Sequence, residues 1–149
     1  KRQAEVEILP MARSEHLGVL SYSPLGGGLL TGKYGVDQRP EAGRLIENPM
    51  YQTRYGADVH YQVADRFTNF AADHGYDPVS LAVAWVAHHP AITAPIIGAR
   101  TLEQLEGSLG ALDIDMTDDL RAEISALAPT PPPATDRVEE RSTHTYGDR

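Results

Sequence analysis

Between Val59 and Ala71 the apolar residues Val59, Val63, Phe67, Phe70 and Ala71 recur at the spacing of one face of an α-helix, and Gly75 stands where it can close that helix. Asp77-Pro78 opens the next one, a capping side chain followed by proline at the first helical position. Its apolar residues run through Leu81, Val83, Trp85 and Val86 to Pro90 on most sides of the cylinder, which predicts burial. Thr101-Leu102-Glu103-Gln104 reads as a capping box ahead of the stripe Leu102, Leu105 and Leu109, and Thr117 caps a last helix carrying Leu120, Ile124 and Leu127. Near the start, Ala4 to Glu15 places Ile8, Leu9, Met11 and Ala12 at helical spacing, with Pro10 as an internal strain point.

Two short apolar runs break this helical pattern. Gly18-Val19-Leu20-Ser21-Tyr22-Ser23 is ended by Pro24, and Ala94-Pro95-Ile96-Ile97-Gly98 carries its proline at the entrance. Both read as strands. From Gly35 to Tyr55 the chain holds Pro40, Gly43 and Pro49 without periodicity, so a long loop is expected there, of the kind that is usually functional or mobile. The order is then helix, strand, loop, helix, helix, strand, helix, helix, without internal repeats. Strands alternating with helices predict a parallel α/β architecture.

The chain has 149 residues, 41% hydrophobic and 23% charged, the composition of a globular protein. Net charge is −8, which argues against nucleic acid or an anionic membrane as the main partner. From Thr101 to Ala128 seven acidic residues face Arg121 alone, a solvated helical face. Cysteine is absent, so thiolate chemistry and disulfides are excluded, and His16, His60, His74 and His144 lack metal-ligand spacing. His88-His89 stand at a helix end before Pro90 and read as surface or cap histidines. No apolar run approaches the length of a membrane span and no signal-peptide pattern opens the chain, so a cytoplasmic location is expected.

Candidate chemistry sits where the two strands end. Gly27-Gly28-Leu29-Leu30-Thr31-Gly32-Lys33-Tyr34 comes within one residue of a nucleotide-binding P-loop, but tyrosine stands where serine or threonine would hold magnesium. No helical periodicity follows Lys33, so the amides a P-loop relies on are missing as well. The plain alternative is a glycine turn. Its place directly after a strand favours a ligand role, because ligands of parallel α/β proteins gather at carboxyl ends of strands. After the second strand, Gly98-Ala99-Arg100-Thr101 puts a guanidinium beside a helix N-terminus, a second anion-binding pattern. The pair describes a dianionic ligand held across two neighbouring strand ends.

Tyr22-Ser-Pro-Leu-Gly-Gly-Gly-Leu-Leu-Thr-Gly-Lys-Tyr34, with Ser80-Leu-Ala-Val-Ala-Trp85 and Ala94-Pro-Ile-Ile-Gly-Ala-Arg-Thr-Leu-Glu-Gln-Leu105, closely resembles the aldo-keto reductase family, in particular its bacterial and potassium-channel-β-subunit-like members. The resemblance runs from about Ala4 to Ala128 and covers the family barrel from its sixth helix onward. It implies the C-terminal part of a (β/α)8 TIM barrel, incomplete in this chain, over residues 1–128, followed by a Pro-rich and polar tail over 129–149.

The resemblance also implies an NADP(H) site. Tyr22 would stack on the nicotinamide, and Ser23, Pro24, Leu25 and Gly28 would lie along the ribose and pyrophosphate, with Lys33 adding charge. Gly98, Ala99 and Arg100 would surround the adenosine 2′-phosphate, with Gln104 at the adenine end. Ser108 belongs to that end too, although family members commonly carry an acidic residue and then asparagine where this chain has Gly107-Ser108. The family's catalytic tyrosine, lysine, aspartate and histidine belong to the first half of the barrel, and no residue here matches their motifs, so no catalytic or metal-binding residue is assigned. Three readings stay open: part of an NADPH-dependent carbonyl reductase, a non-catalytic dinucleotide-binding module, or an inactive remnant. Val19, Leu20, Ile96 and Ile97 are expected to lie open without barrel neighbours, so either another chain covers that surface, by supplying the other barrel half or by self-association, or the chain is a fragment of a longer reading frame; no nucleic-acid or membrane partner is expected.

Overall fold

A computed structural model describes residues 1–132; the part of the expected tail beyond Pro132 lies outside the described residues. Its elements are α1 (Ile8–Ser14), β1 (Leu20–Tyr22), α2 (Arg44–Glu47), α3 (Pro49–Tyr55), α4 (Asp58–Asp73), α5 (Pro78–Ala87), β2 (Ala94–Ile96), α6 (Leu102–Leu109) and α7 (Asp118–Ala126), with 3₁₀ turns at Gln3–Glu5, Gly26–Thr31 and Gly110–Asp113.

Helices form where local signals agree with burial. Gly75, in the left-handed region at φ 72°, ends α4. Its N–H donates to Ala72 O and that of Tyr76 to Ala71 O, two carbonyls the helix would otherwise leave open. Asp77 caps α5 by accepting from Ser80 N at 2.7 Å, with Pro78 at the first helical position. Residues 80–84 of α5 are buried on successive sides, as its all-round apolar pattern predicts. Phe67, Ala71, Leu81, Ala82 and Ala84 join Met116 and Ile124 in one core; Leu29, Tyr34, Leu45, Tyr61 and Ala64 form a second, under the segment after β1.

Two expectations are corrected. Residues 35–55 are not a plain loop, for they carry α2 and α3. Asn48 caps α3 by accepting from Met50 N, and Pro49 stands at its first position, the same signature that opens α5. Pro10 is no strain point either. The first helix begins only at Ile8, which puts the proline in the first turn, where the missing N–H would have no intrahelical partner.

The strands pair in parallel, Leu20 with Ala94, Ser21 with Pro95 and Tyr22 with Ile96. Register partners share a face. On one face Leu20, Tyr22 and Ile96 are 64%, 69% and 54% exposed, with Ala94 exposed beside them. On the other, Ser21 and Pro95 are half-buried beneath the helical layer that includes α5. Of the apolar strand residues expected to lie open, Leu20 and Ile96 do, whereas Val19 and Ile97 are half-buried.

Candidate functional site

Because β1 and β2 are parallel and in register, the segments that follow them leave the same edge side by side. Ser23 takes φ 56°, an uncommon conformation for a residue with a side chain, and turns the chain out of β1 into Pro24 and Leu25. Gly26, Gly27 and Gly28 follow at φ 57°, 71° and 100°. Gly26 N donates to Ser23 O at 2.9 Å and Gly28 N to Leu25 O at 3.0 Å, so the stretch is a compact turn and no P-loop helix succeeds it.

Lys33 folds back over this turn. A Cβ on Gly28 would lie 3.4 Å from Lys33 Cε and 3.6 Å from its ammonium, which sits 5.3 Å from the centre of the Tyr34 ring. Among the described residues Lys33 has no acidic partner. Tyr34 itself is 1% exposed and anchors the segment. Its hydroxyl makes no hydrogen bond of good geometry, and burial raises its pKa, an effect partly offset by the nearby Leu45 backbone. Arg44 stands close by at the start of α2, its guanidinium 5.7 Å from the Tyr51 ring centre. It was not among the sequence candidates, and a lone Gly43-Arg44 pair in an aperiodic stretch carries no signal that would have found it.

At the end of β2, Gly98, Ala99 and Arg100 are exposed. Thr101 caps α6 as expected, accepting from Gln104 N at 3.3 Å. The return bond differs: Gln104 Oε1 accepts from Arg100 N at 3.0 Å, one residue earlier than in a capping box. Gln104 therefore braces the Arg100 backbone. The Arg100 guanidinium has no ion-pair or hydrogen-bond partner among the described residues, so it stands free at the rim beside a helix N-terminus.

Ser108 is the candidate that lies furthest from a ligand-facing position. It is 3% exposed and its hydroxyl donates to Gln104 O at 3.0 Å. The reason is packing. A Cβ on Gly107 would lie 3.7 Å from Val79, and Ser80 Oγ donates to Gly107 O at 2.7 Å, so Gly107 lets α6 close onto α5.

The histidines do not converge with these residues. His88 Nε2 lies 3.3 Å from Asp118, and His89 Nδ1 accepts from Ala91 N at 3.1 Å. Burial lowers the His89 pKa, with Arg121, Arg2 and Arg13 acting in the same direction against Glu5. No group of His, Cys, Asp and Glu able to hold a metal occurs among the described residues, and no helix there is long and apolar enough to cross a membrane. A hollow of about 340 Å³ lined by Arg13, His16 and Pro90 lies at the amino ends of the strands, away from the glycine turn.

The carboxyl edge thus brings together a close-packed glycine turn, two exposed cations without acidic partners among the described residues, and an open aromatic face on Tyr22. The family model described as "Aldo/keto reductase family" matches residues 1–129. The uncharacterized oxidoreductase YrpG of Bacillus subtilis is 36% identical over 134 residues, 88% of this chain and 38% of that protein. Protein tas of Escherichia coli is 32% identical over 128 residues, 85% of this chain and 36% of its own length. Among solved structures, a glycerol dehydrogenase from Gluconobacter oxydans is similar with a TM-score of 0.66 and 27% identity, covering 89% of this chain and 42% of that one. The chain thus spans just over a third of the length of these curated relatives. Its fold is part of a (β/α)8 barrel with two of the strands present among the described residues.

Proposed function

The chain belongs to the aldo/keto reductase family, and from that premise we propose that it is the cofactor-holding, C-terminal part of an NADP(H)-dependent reductase. The family generally uses nicotinamide cofactors, and such a cofactor supplies the hydride that converts a carbonyl to an alcohol. The roles of this chain are binding and orientation. Tyr22 offers its exposed ring to the nicotinamide at the mouth of the barrel. The turn from Ser23 through Pro24 and Leu25 to Gly28, with Lys33 folded over it, takes the ribose and pyrophosphate. Gly98, Ala99 and Arg100, ahead of α6, take the 2′-phosphate. Gln104 acts one step back, bracing the Arg100 backbone. Arg44 is added to this set as a cation on the rim of the same turn.

The observation that carries this reading is the parallel register, which brings the glycine turn with Lys33 and the free Arg100 to one sheet edge. Either element alone is a common anion-binding pattern; their adjacency matches a ligand with two separated phosphate groups. A second reading, a dinucleotide-binding module without catalysis of its own, draws on the same edge and on the lack of any match to the family's catalytic motifs.

Arg100 separates the cofactors. Only the phosphorylated form brings a dianion to the guanidinium and the free amides of α6 together. Titration of the chain with NADPH and NADH, followed by nicotinamide fluorescence, tests this. In Arg100→Ala, NADPH affinity should fall about ten- to a hundredfold, the worth of a charge-assisted bidentate contact, while NADH affinity changes little. Equal loss for both cofactors, or none for either, removes Arg100 from this role.

A further inference from the structure

We infer that Tyr51 is the positioning residue that fixes the shape of the glycine turn, an inference that rests on the turn being the dinucleotide cradle. Glycine permits left-handed φ without favouring it, so consecutive glycines specify no single path. Something beside them has to select one. Gly26, Gly27 and Gly28 each meet a different side chain from the segment that follows. A Cβ on Gly27 would fall 2.6 Å from Tyr51 Cδ1 and 2.8 Å from Cε1, closer than side-chain carbons approach, with Leu45 at 3.4 Å. A Cβ on Gly26 would lie 3.8 Å from Tyr55, and one on Gly28 would lie 3.4 and 3.7 Å from Lys33 and Tyr34. The closest of these contacts is the Tyr51 ring lying directly on the Gly27 backbone.

That ring is itself held. It stacks on Tyr55 with centroids 6.3 Å apart and planes 24° from parallel, and the Arg44 guanidinium stands 5.7 Å from its centre. Asn48 and Pro49 start the helix that carries it. A turn already ordered by this contact loses less conformational freedom when a ligand arrives, so Tyr51 raises affinity through a side chain assigned no ligand contact. The contact is made by ring carbons, and phenylalanine should serve as well as tyrosine.

Four variants of the 149-residue chain test this: Tyr51→Ala, Tyr51→Phe, Gly27→Ala and the double variant Gly27→Ala/Tyr51→Ala. Amide exchange of residues 26–30 without ligand should be faster in Tyr51→Ala and parental in Tyr51→Phe, with exchange in α4 and α5 unaltered as the control for folding. NADPH affinity should fall about tenfold in Tyr51→Ala, the equivalent of one more backbone residue to order on binding, and hold in Tyr51→Phe. Gly27→Ala should cost more in the parent than in the Tyr51→Ala background, because without the ring the clash is gone and only the φ strain remains. Parental exchange in Tyr51→Ala, or additive losses in the double variant, overturns the inference. A parent chain that binds no NADPH would bring down the cofactor reading instead, and the exchange comparison still decides whether Tyr51 sets the turn.

Discussion

The two faces of the β1–β2 pair meet opposite fates: Ser21 and Pro95 are half-buried against the helical layer, whereas the more apolar face is open. Beneath one face, α5 brings Leu81, Ala82 and Ala84 into a closed core with Phe67 and Ile124. On the other, Leu20, Tyr22 and Ile96 are more than half exposed although nothing in their composition distinguishes them from core residues. In a complete barrel the second face points inward, where the inward side chains of the other strands would bury it. The outer layer of the fold thus closes by contacts within residues 1–132, whereas its inner layer is open.

Truncating one side chain on each face should give the largest contrast. Leu81 is fully buried, and Leu81→Ala should lower unfolding free energy by about 2–5 kcal/mol. Leu20→Ala removes the same atoms from a residue that is 64% exposed and should stay within about 0.5 kcal/mol. Denaturant melts followed by far-UV circular dichroism compare the two. Similar losses at a concentration where the chain is monomeric would mean that the chain itself covers this face.

Association sharpens the same contrast. A contiguous apolar face between two unpaired strand edges favours contact with another chain. The parent chain should show a concentration-dependent apparent size by size-exclusion chromatography with light scattering. A Leu20→Lys/Ile96→Lys pair should shift it to the monomer without altering the helical signal. A parent that stays monomeric and melts cooperatively across the concentration range would contradict the open face.

What was legible in the sequence divides along physical lines. The caps of α5, α6 and α7 and the Gly75 stop are written within a few residues each, and all stand where the pattern puts them. The α2–α3 pair has too few turns for periodicity and owes its place to Leu45 and Tyr51 packing against the glycine turn, although Asn48-Pro49 repeats the Asp77-Pro78 signature. At the candidate site, residue types at the strand ends identified the charges of Lys33 and Arg100. Orientation was not legible. Gln104 bends to the Arg100 backbone and Ser108 bonds back to the Gln104 carbonyl, outcomes that depend on which neighbours compete for each polar group.

The smallest expected effect concerns pH, and it belongs to the covered side. His89 sits in the turn between α5 and β2, where Nδ1 must be unprotonated to accept from Ala91 N. Burial first, then Arg121, Arg2 and Arg13 against Glu5, hold its pKa below the usual 6.5. The unfolded chain therefore binds this proton more readily than the folded one. Stability rises with pH across the interval between the folded pKa and about 6.5, and it is lost as pH falls from 6.5 toward the folded value. Partial exposure screens the arginines and keeps the effect small. Replacing His89 by asparagine keeps an acceptor in reach of Ala91 N and removes the titration. Melting temperatures of parent and His89→Asn at pH 7 and pH 5 isolate the contribution from that of the carboxylates, which both proteins share. The parent should lose more on acidification than the variant. An equal loss in both would show that His89 is neutral in the turn at no cost, and that the Ala91 contact places no demand on its protonation.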